Sequence, residues 1–147
     1  MTDQPYAKKS LGQHWLNDAA TLEYICQAGN INTEDTVLEI GPGTGTLTRR
    51  LVNYAKQVVA VEYDKALAER LLAEKIAPNL QIINQDILSF DLTSLQPDYK
   101  VVANIPYYIT SNLIRVLSES TNRASRIVLL IQKEVAERVA AKPGDMS

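Results

Sequence analysis

The segment with the most specific chemistry is Asn104-Ile105-Pro106-Tyr107, which follows a short apolar run. The exocyclic amine of adenine is a poor nucleophile, because its lone pair is delocalised into the ring. The Asn104 amide oxygen and the Ile105 carbonyl, held by Pro106, could polarise such an amine, and Tyr107 offers a face for a splayed-out base. The segment therefore predicts a site that activates an adenine amine. The alternative is an ordinary Asn-x-Pro turn beside an exposed tyrosine.

A glycine turn and a carboxylate have the spacing of a nucleoside-binding site. The turn spans residues 41–45, where Gly41 and Gly43 let a ligand approach the main chain closely. Glu62 follows about 20 positions later, where an acidic residue can accept hydrogen bonds from both ribose hydroxyls of adenosine. The G-x-G-x-G spacing departs from that of dinucleotide binders, and Pro42 lacks an N–H for a pyrophosphate, so a nicotinamide oxidoreductase is disfavoured. A turn that binds nothing remains the alternative.

Asp86 and Ile87 follow the next apolar run. The Asp86 carboxylate could accept the N6 amino hydrogens of an adenine, and Ile87 could contact the face of the ring. A turn-forming aspartate is the alternative for Asp86. Asp64, just after Glu62, is instead a candidate cap for the next helix.

The elements that would position these residues alternate along the chain. Apolar runs predict strands at 36–40, 57–62, 80–84, 100–103 and 125–132, and helical spacing predicts helices at 17–28, 47–54, 65–76, 110–118 and 133–141. Nearly all-apolar strands between helices indicate a parallel sheet covered on both faces. We therefore predict an α/β protein with a Rossmann-like, doubly wound, mostly parallel sheet. Asn17 or Asp18 would cap the first helix, and Gly29-Asn30 would end it.

The composition is that of one globular domain. The chain has 147 residues, of which 46% are hydrophobic and 22% charged, which excludes a disordered tail, a collagen-like repeat and a disulfide scaffold. The longest strongly apolar run, at 127–131, is far shorter than the roughly 20 residues of a membrane span, and the first residues lack the apolar core of a signal peptide. We expect a cytoplasmic domain with no membrane partner, in which the lone Cys26 packs as a small hydrophobe.

Charge and metal-ligating residues exclude further classes of function. The net charge is −2, so binding to nucleic acid would need either a localised basic patch or a basic surface that lies elsewhere. One histidine, His14, and one cysteine make a metal site improbable, and we predict no metal. Residues 8–16 have no strand or helix pattern. They could form a lid in which His14, Trp15 and Leu16 close over a ligand while Lys8 and Lys9 meet phosphates, or they could be an arm without function.

Together these segments resemble the ribosomal RNA adenine N6,N6-dimethyltransferases of the KsgA type, which use S-adenosylmethionine (SAM). The matching segments are KKSLGQHWLND at 8–18, VLEIGPGTGTLT at 37–48, VAVEYD at 59–64, NQDIL at 84–88, VANIPYYIT at 102–110 and LLIQKEVAERVAAKPG at 129–144. The resemblance implies a SAM pocket lined by His14, Leu16, Gly41, Glu62, Asp86 and Asn104. It implies that residues 104–107 hold the target adenine.

The resemblance also implies the substrate, which is two adjacent adenosines in a hairpin near the 3′ end of small-subunit rRNA. The expected partner is the 30S precursor particle, and we expect a monomer. Members of the family are longer, with further strands and a helical C-terminal domain. We therefore expect residues 1–147 to be the catalytic N-terminal part of a longer enzyme, with the lid at 8–18. We expect this part by itself to bind SAM without efficient dimethylation of rRNA.

Two other functions remain as alternatives. Enzymes that methylate an adenosine of large-subunit rRNA, the macrolide-resistance type, share the lid, glycine and Asn-x-Pro-Tyr segments. The LGQHWLND and QKEVAERVAAKPG segments favour the small-subunit enzymes instead. A non-catalytic RNA-binding assembly factor would have no use for Glu62, Asp86 and Asn104 at strand ends.

Overall fold

The computed structural model describes residues 18–130 of the chain. The strands are β1 (Thr36–Ile40), β2 (Gln57–Glu62), β3 (Leu80–Asn84), β4 (Lys100–Asn104) and β5 (Arg126–Leu130). The α-helices are α1 (Ala19–Ala28), α2 (Thr46–Tyr54), α3 (Lys65–Glu74) and α4 (Thr110–Glu119). Short 3₁₀-helical turns lie at Ile87–Ser89, Leu92–Ser94 and Tyr107–Ile109.

The strands form one parallel sheet in the order β3-β2-β1-β4-β5. The chain winds outward from β1 to β3 and then returns to β4 on the other side of β1. In an open α/β sheet this reversal leaves a crevice beyond the carboxyl ends of the two central strands. The predicted doubly wound, parallel α/β sheet is confirmed.

Each central strand buries both of its faces. On β1, Val37 packs against α1 and α2, and the neighbouring Leu38 packs on the opposite side with α4 and the 3₁₀-helical turns. Cys26 lies in the first of these two clusters, as expected of a small hydrophobe, and burial raises the pKa of its thiol to about 11. Because successive residues of a strand alternate between faces, the strand-end side chains are also sorted to one face or the other.

Helix ends follow local capping chemistry. The side chain of Asp18 accepts a hydrogen bond from the Ala20 N–H and caps α1, and the helix stops at Gly29, before Asn30 with φ of 50°. The side chain of Asp64 caps α3 in the same way. The prediction that α3 extends to residue 76 was wrong: the helix ends at Glu74, because Lys75 adopts the left-handed conformation with φ of 48°.

The other boundaries differ by small amounts. β4 extends one residue further than predicted, through Asn104, because that residue pairs with Leu130 of β5. Ser125 lies outside β5, where its N–H donates to the Tyr99 carbonyl. Between β3 and β4 the chain makes two 3₁₀-helical turns, capped by Asp86 and Asp91, where no element was predicted. The predicted lid up to residue 17, the end of the fifth strand at 131–132 and the helix at 133–141 lie outside the described residues.

The amino ends of β1 and β4 are fixed to the first helix–strand connection by a buried cation. The Lys100 ammonium donates to the Asn30 carbonyl at 2.6 Å and to Asp35 Oδ2 at 2.9 Å. The side chains of Lys100 and Asp35 are only 11% and 12% exposed. This ion pair lies at the opposite edge of the sheet from the strand ends that carry the candidate chemistry, so its role is structural. Between residues 18 and 130, no helix has both the length and the apolar character needed to cross a membrane.

Candidate active site

Parallel register brings three of the predicted site residues, Gly41, Glu62 and Asn104, into one row at the carboxyl edge of the sheet. Glu62 of β2 pairs with Asn84 of β3. Ile40 of β1 pairs with β2 on one side and with β4 on the other. The next residue, Gly41, therefore lies between Glu62 and Asn104. The glycine turn, the acidic residue and the asparagine were separate segments in the sequence, and they are neighbours here.

Position 41 requires a glycine for two reasons, its backbone conformation and its short distance to β4. Its φ is +75°, and a Cβ placed on it would lie 2.5 Å from the Asn104 carbonyl oxygen. The Gly41 N–H donates to the Val61 carbonyl at 3.0 Å. Only a residue without a side chain lets the end of β1 pass this close to the main chain of Asn104, so Gly41 sets the position of Asn104.

Glu62 fixes the glycine turn as well as closing β2. Its side chain is 1% exposed, and its two oxygens accept from the Gly43 N–H at 3.0 Å and from the Asp64 N–H at 2.9 Å. These two bonds fix the orientation of the carboxylate against the glycine turn and the start of the next connection. The sequence predicted a ligand-binding role for Glu62 and missed this contact with the turn.

Glu39, in the middle of β1, is a second buried carboxylate that the sequence analysis did not single out. It is 3% exposed, and the Thr48 hydroxyl of α2 donates to its Oε1 at 2.5 Å. Burial raises the pKa of Glu39 to about 7; the Thr48 hydrogen bond lowers this pKa in part, and the nearby charge of Glu62 raises it. The sequence did carry a sign of this residue, which is an acidic side chain inside an otherwise apolar strand. A buried acidic residue seldom lacks a partner, so its position could have indicated a buried hydrogen bond.

Asp86 and Ile87 begin the first 3₁₀-helical turn after β3. Asp86 is exposed, and its Oδ1 accepts from the Leu88 N–H at 3.0 Å, so it forms the local turn that was its alternative role. Ile87 is 6% exposed and packs into the core under the sheet, which leaves little of its surface for a ring. Asn84, also missed, donates from its side-chain amide to the carbonyls of Glu62 and Tyr63 and so ties β3 to the end of β2.

The segment after β4 presents polar and aromatic groups at the same edge. Asn104 is partly exposed, and its side-chain amide has no hydrogen-bond partner among residues 18–130. Ile105 is 7% exposed and anchors the segment in the core. Pro106 has φ of −60° and ψ of 147°, which turns the chain into the 3₁₀-helical turn where Tyr107 is 52% exposed. Asn104 is therefore partly exposed and Tyr107 is exposed, on a segment that Ile105 anchors in the core.

The remaining predicted site residues, His14 and Leu16, lie outside the described residues. Within the described range, no group of three or more histidine, cysteine, aspartate or glutamate side chains could hold a metal ion. A groove of about 620 Å³ lies elsewhere, along the ends of α2 and α3. In this groove Arg49 and Glu74 form an ion pair at 2.7 Å, and the Asn79 side-chain amide donates to two main-chain carbonyls. These polar groups are therefore engaged in contacts within the protein.

The sequence matches the family described as "Ribosomal RNA adenine dimethylase" over residues 5–147. It is 44% identical over 146 residues to the "Ribosomal RNA small subunit methyltransferase A" of Ligilactobacillus salivarius, an alignment that covers 93% of this chain and 49% of that protein. The chain therefore spans about half the length of the curated relatives it matches.

Solved structures show the same fold. A dimethyladenosine transferase from Plasmodium falciparum superposes with a TM-score of 0.69 at 33% identity, covering 84% of this chain and 45% of that one. The 23S rRNA methyltransferase ErmE superposes with a TM-score of 0.71 at 30% identity, covering 86% of this chain and 51% of that one. The fold is thus the Rossmann-like fold of methyltransferases.

Proposed function

Because the chain belongs to the ribosomal RNA adenine dimethylase family, we propose that it carries the catalytic site for SAM-dependent N6,N6-dimethylation of two adjacent adenosines in the 3′-terminal hairpin of small-subunit rRNA. The observation that supports this most is the position of Asn104. The residue is partly exposed, and its amide has no hydrogen-bond partner in the described structure, at the crevice where the sheet reverses its winding. A nucleotide base that enters this crevice would meet an amide oxygen able to accept from its amine.

The residues beside Asn104 fit an adenosine-containing methyl donor. Glu62 is held by two main-chain donors in a fixed orientation, suited to accept from the vicinal hydroxyls of a ribose. The glycine turn leaves the main chain of Gly41 and Gly43 uncovered by side chains of their own. Asp86 has an exposed carboxylate just after β3, which would accept from an adenine amine. SAM would supply a methyl group carried on a sulfonium sulfur, which needs no metal.

Asn104 and Ile105 act on the nucleophile. Their oxygens would accept the two amine hydrogens of the target adenine, which localises the nitrogen lone pair and aims it at the methyl carbon. When bound, SAM would supply the methyl group: its carbon–sulfur bond would break as the new N–C bond formed, and the surplus proton would leave the amine for solvent. Tyr107 would support the base by stacking, and its exposed position permits this.

The wider assignments are part of the same proposal. The partner is small-subunit rRNA in a 30S precursor particle, bound by a monomer in the cytoplasm, with residues 8–18 as a lid that brings His14 and Leu16 to the cofactor. Residues 1–147 would form the catalytic domain. Methylation of large-subunit rRNA is the alternative, and the ErmE structure, at 30% identity, makes it a relevant control substrate. The identity of 44% to a small-subunit enzyme favours the first substrate.

The test separates cofactor binding from transfer. The wild-type chain, Asn104→Ala and the control Asn53→Ala, an exposed position on α2, are titrated with SAM by calorimetry. The same proteins are then given unmethylated small-subunit particles and labelled SAM. We expect Asn104→Ala to lose transfer by about a hundredfold or more with little change in SAM affinity, since one positioned electrostatic contact is typically worth that much. A variant that keeps more than about a tenth of the wild-type rate would remove Asn104 from the chemistry.

A further inference from the structure

The exposed face of α4 lies next to the candidate active site, and the proposed function assigns no role to it. We propose that Tyr108, Asn112 and Arg115 form a track for the single RNA strand beside the target base. In this track Tyr108 stacks on a flanking base and Arg115 binds a backbone phosphate. The inference rests on the proposed function and extends it to how the strand is held.

Helical spacing places these three side chains in one line. Tyr108 lies in the 3₁₀-helical turn that runs into α4 through Ile109, whose φ of −95° and ψ of −12° are helical. Positions 108, 112 and 115 follow the i, i+4, i+7 pattern of one helix face. Leu113 and Leu117 are buried on the opposite side of the helix, at 0% and 2% exposure. The line therefore begins next to Tyr107 at the active-site edge and runs outward over solvent-exposed surface.

Tyr108 is the most exposed large hydrophobic side chain of the described residues, at 79%. A single exposed aromatic residue is common on protein surfaces, but this one directly follows Tyr107, which is 52% exposed. Neighbouring exposed rings suit an extended strand whose successive bases are unstacked, because every base has a face that an aromatic ring can cover. Tyr107 is assigned to the target base, so Tyr108 is placed for a base beside it.

Arg115 supplies the charge that a phosphate needs. Its guanidinium lies 3.4 Å from Glu119 Oε1, and the two side chains are 58% and 66% exposed. Ion pairs as exposed as this contribute little to stability, so exchanging the carboxylate for a phosphate costs little. Asn112 between Tyr108 and Arg115 is exposed and uncharged, and it adds a donor and an acceptor.

The charge of the track favours a single strand over a duplex. Recognition of double-stranded RNA depends on many phosphate contacts over a broad positive surface. The track has one arginine, an adjacent glutamate and a net chain charge of −2, which suits a strand held mainly by stacking. Glu119 would repel the phosphate that Arg115 binds. Its removal should therefore tighten RNA binding, an effect that a merely structural role of α4 would not produce.

The experiment measures RNA binding by this chain directly. The probe is a short RNA hairpin whose loop holds two adjacent adenosines, with fluorescent 2-aminopurine replacing the base next to them. At about 50 mM salt we expect the wild type to bind and quench the probe. Tyr108→Ala should weaken binding about tenfold and lose the quench, while Tyr108→Phe should keep both. Arg115→Gln should weaken binding and reduce the salt dependence by about one phosphate contact, and Glu119→Gln should strengthen binding.

The control is Tyr24→Ala, which removes a tyrosine that is 70% exposed on α1 and should leave RNA binding unchanged. Equal RNA affinity in Tyr108→Ala and wild type would overturn the track, as would failure of the wild type to bind the probe. Calorimetry with SAM on the same proteins tests the proposed function separately. If the wild type binds SAM and methylates but Tyr108→Ala quenches normally, the track is wrong and the proposed function stands. If the wild type binds the probe but neither binds SAM nor methylates, the proposed function is wrong.

Discussion

Replacing the buried Glu39 by glutamine should remove a pH dependence from the stability of the fold. Burial raises the pKa of Glu39 to about 7 from an ordinary value of 4.5. Below the ordinary value the carboxyl is protonated in both the folded and the unfolded chain. As pH rises, the unfolded chain releases this proton first, so stability falls until the pH passes the folded pKa and then levels off.

The size of this effect follows from the two pKa values. Each pKa unit corresponds to about 1.4 kcal/mol, so the full cost of ionising Glu39 is on the order of 3 kcal/mol. Between pH 5 and pH 8 the wild type should lose about 2–3 kcal/mol of unfolding free energy through this group. For a chain of this size that corresponds to a fall in Tm of about 5–10 °C.

The assay is thermal unfolding of wild type and Glu39→Gln at several pH values between 5 and 8. Glutamine keeps the oxygen that accepts from the Thr48 hydroxyl. Its amide N–H₂ group does not titrate, so any effect of that group on stability is the same at every pH. The quantity compared is therefore the slope with pH and not the stability at one pH. Glu69→Gln, an exposed position on α3, controls for the change in net charge. If wild type and Glu39→Gln lose the same stability between pH 5 and 8, Glu39 does not titrate in this range and the argument from its burial fails.

Two further substitutions test how the sheet edges are held. Gly41→Ala would place a Cβ 2.5 Å from the Asn104 oxygen at φ of +75°; we expect a loss of at least about 2 kcal/mol in urea unfolding. Gly29→Ala, with φ of −76°, should cost much less, and equal losses would contradict the close approach as the cause. Asp35→Ala should cost about 3–5 kcal/mol by leaving the Lys100 ammonium buried without its carboxylate. An unfolding midpoint unchanged by this substitution would show that the pair contributes nothing.

For the described residues, the sequence by itself determined the strands, the α-helices and which polar residues stand at the strand ends. The strand ends at Ile40, Glu62 and Asn84 are where the apolar runs stop, because a strand buried on both faces needs apolar residues and its end does not. The caps at Asp18 and Asp64 were also predictable, since a cap depends on two or three neighbouring residues. Local chemistry of this kind needs no knowledge of distant contacts.

The tertiary structure alone decided which of these groups touch. Gly41 meets Asn104 and Gly43 meets Glu62 because parallel register aligns strands that are far apart in sequence. The raised pKa of Glu39 likewise depends on α2 and the core covering it, since a carboxyl in an isolated strand would remain hydrated and ionise normally. Strand order and packing are set by burial summed over the whole sheet, and that sum cannot be evaluated from any one segment.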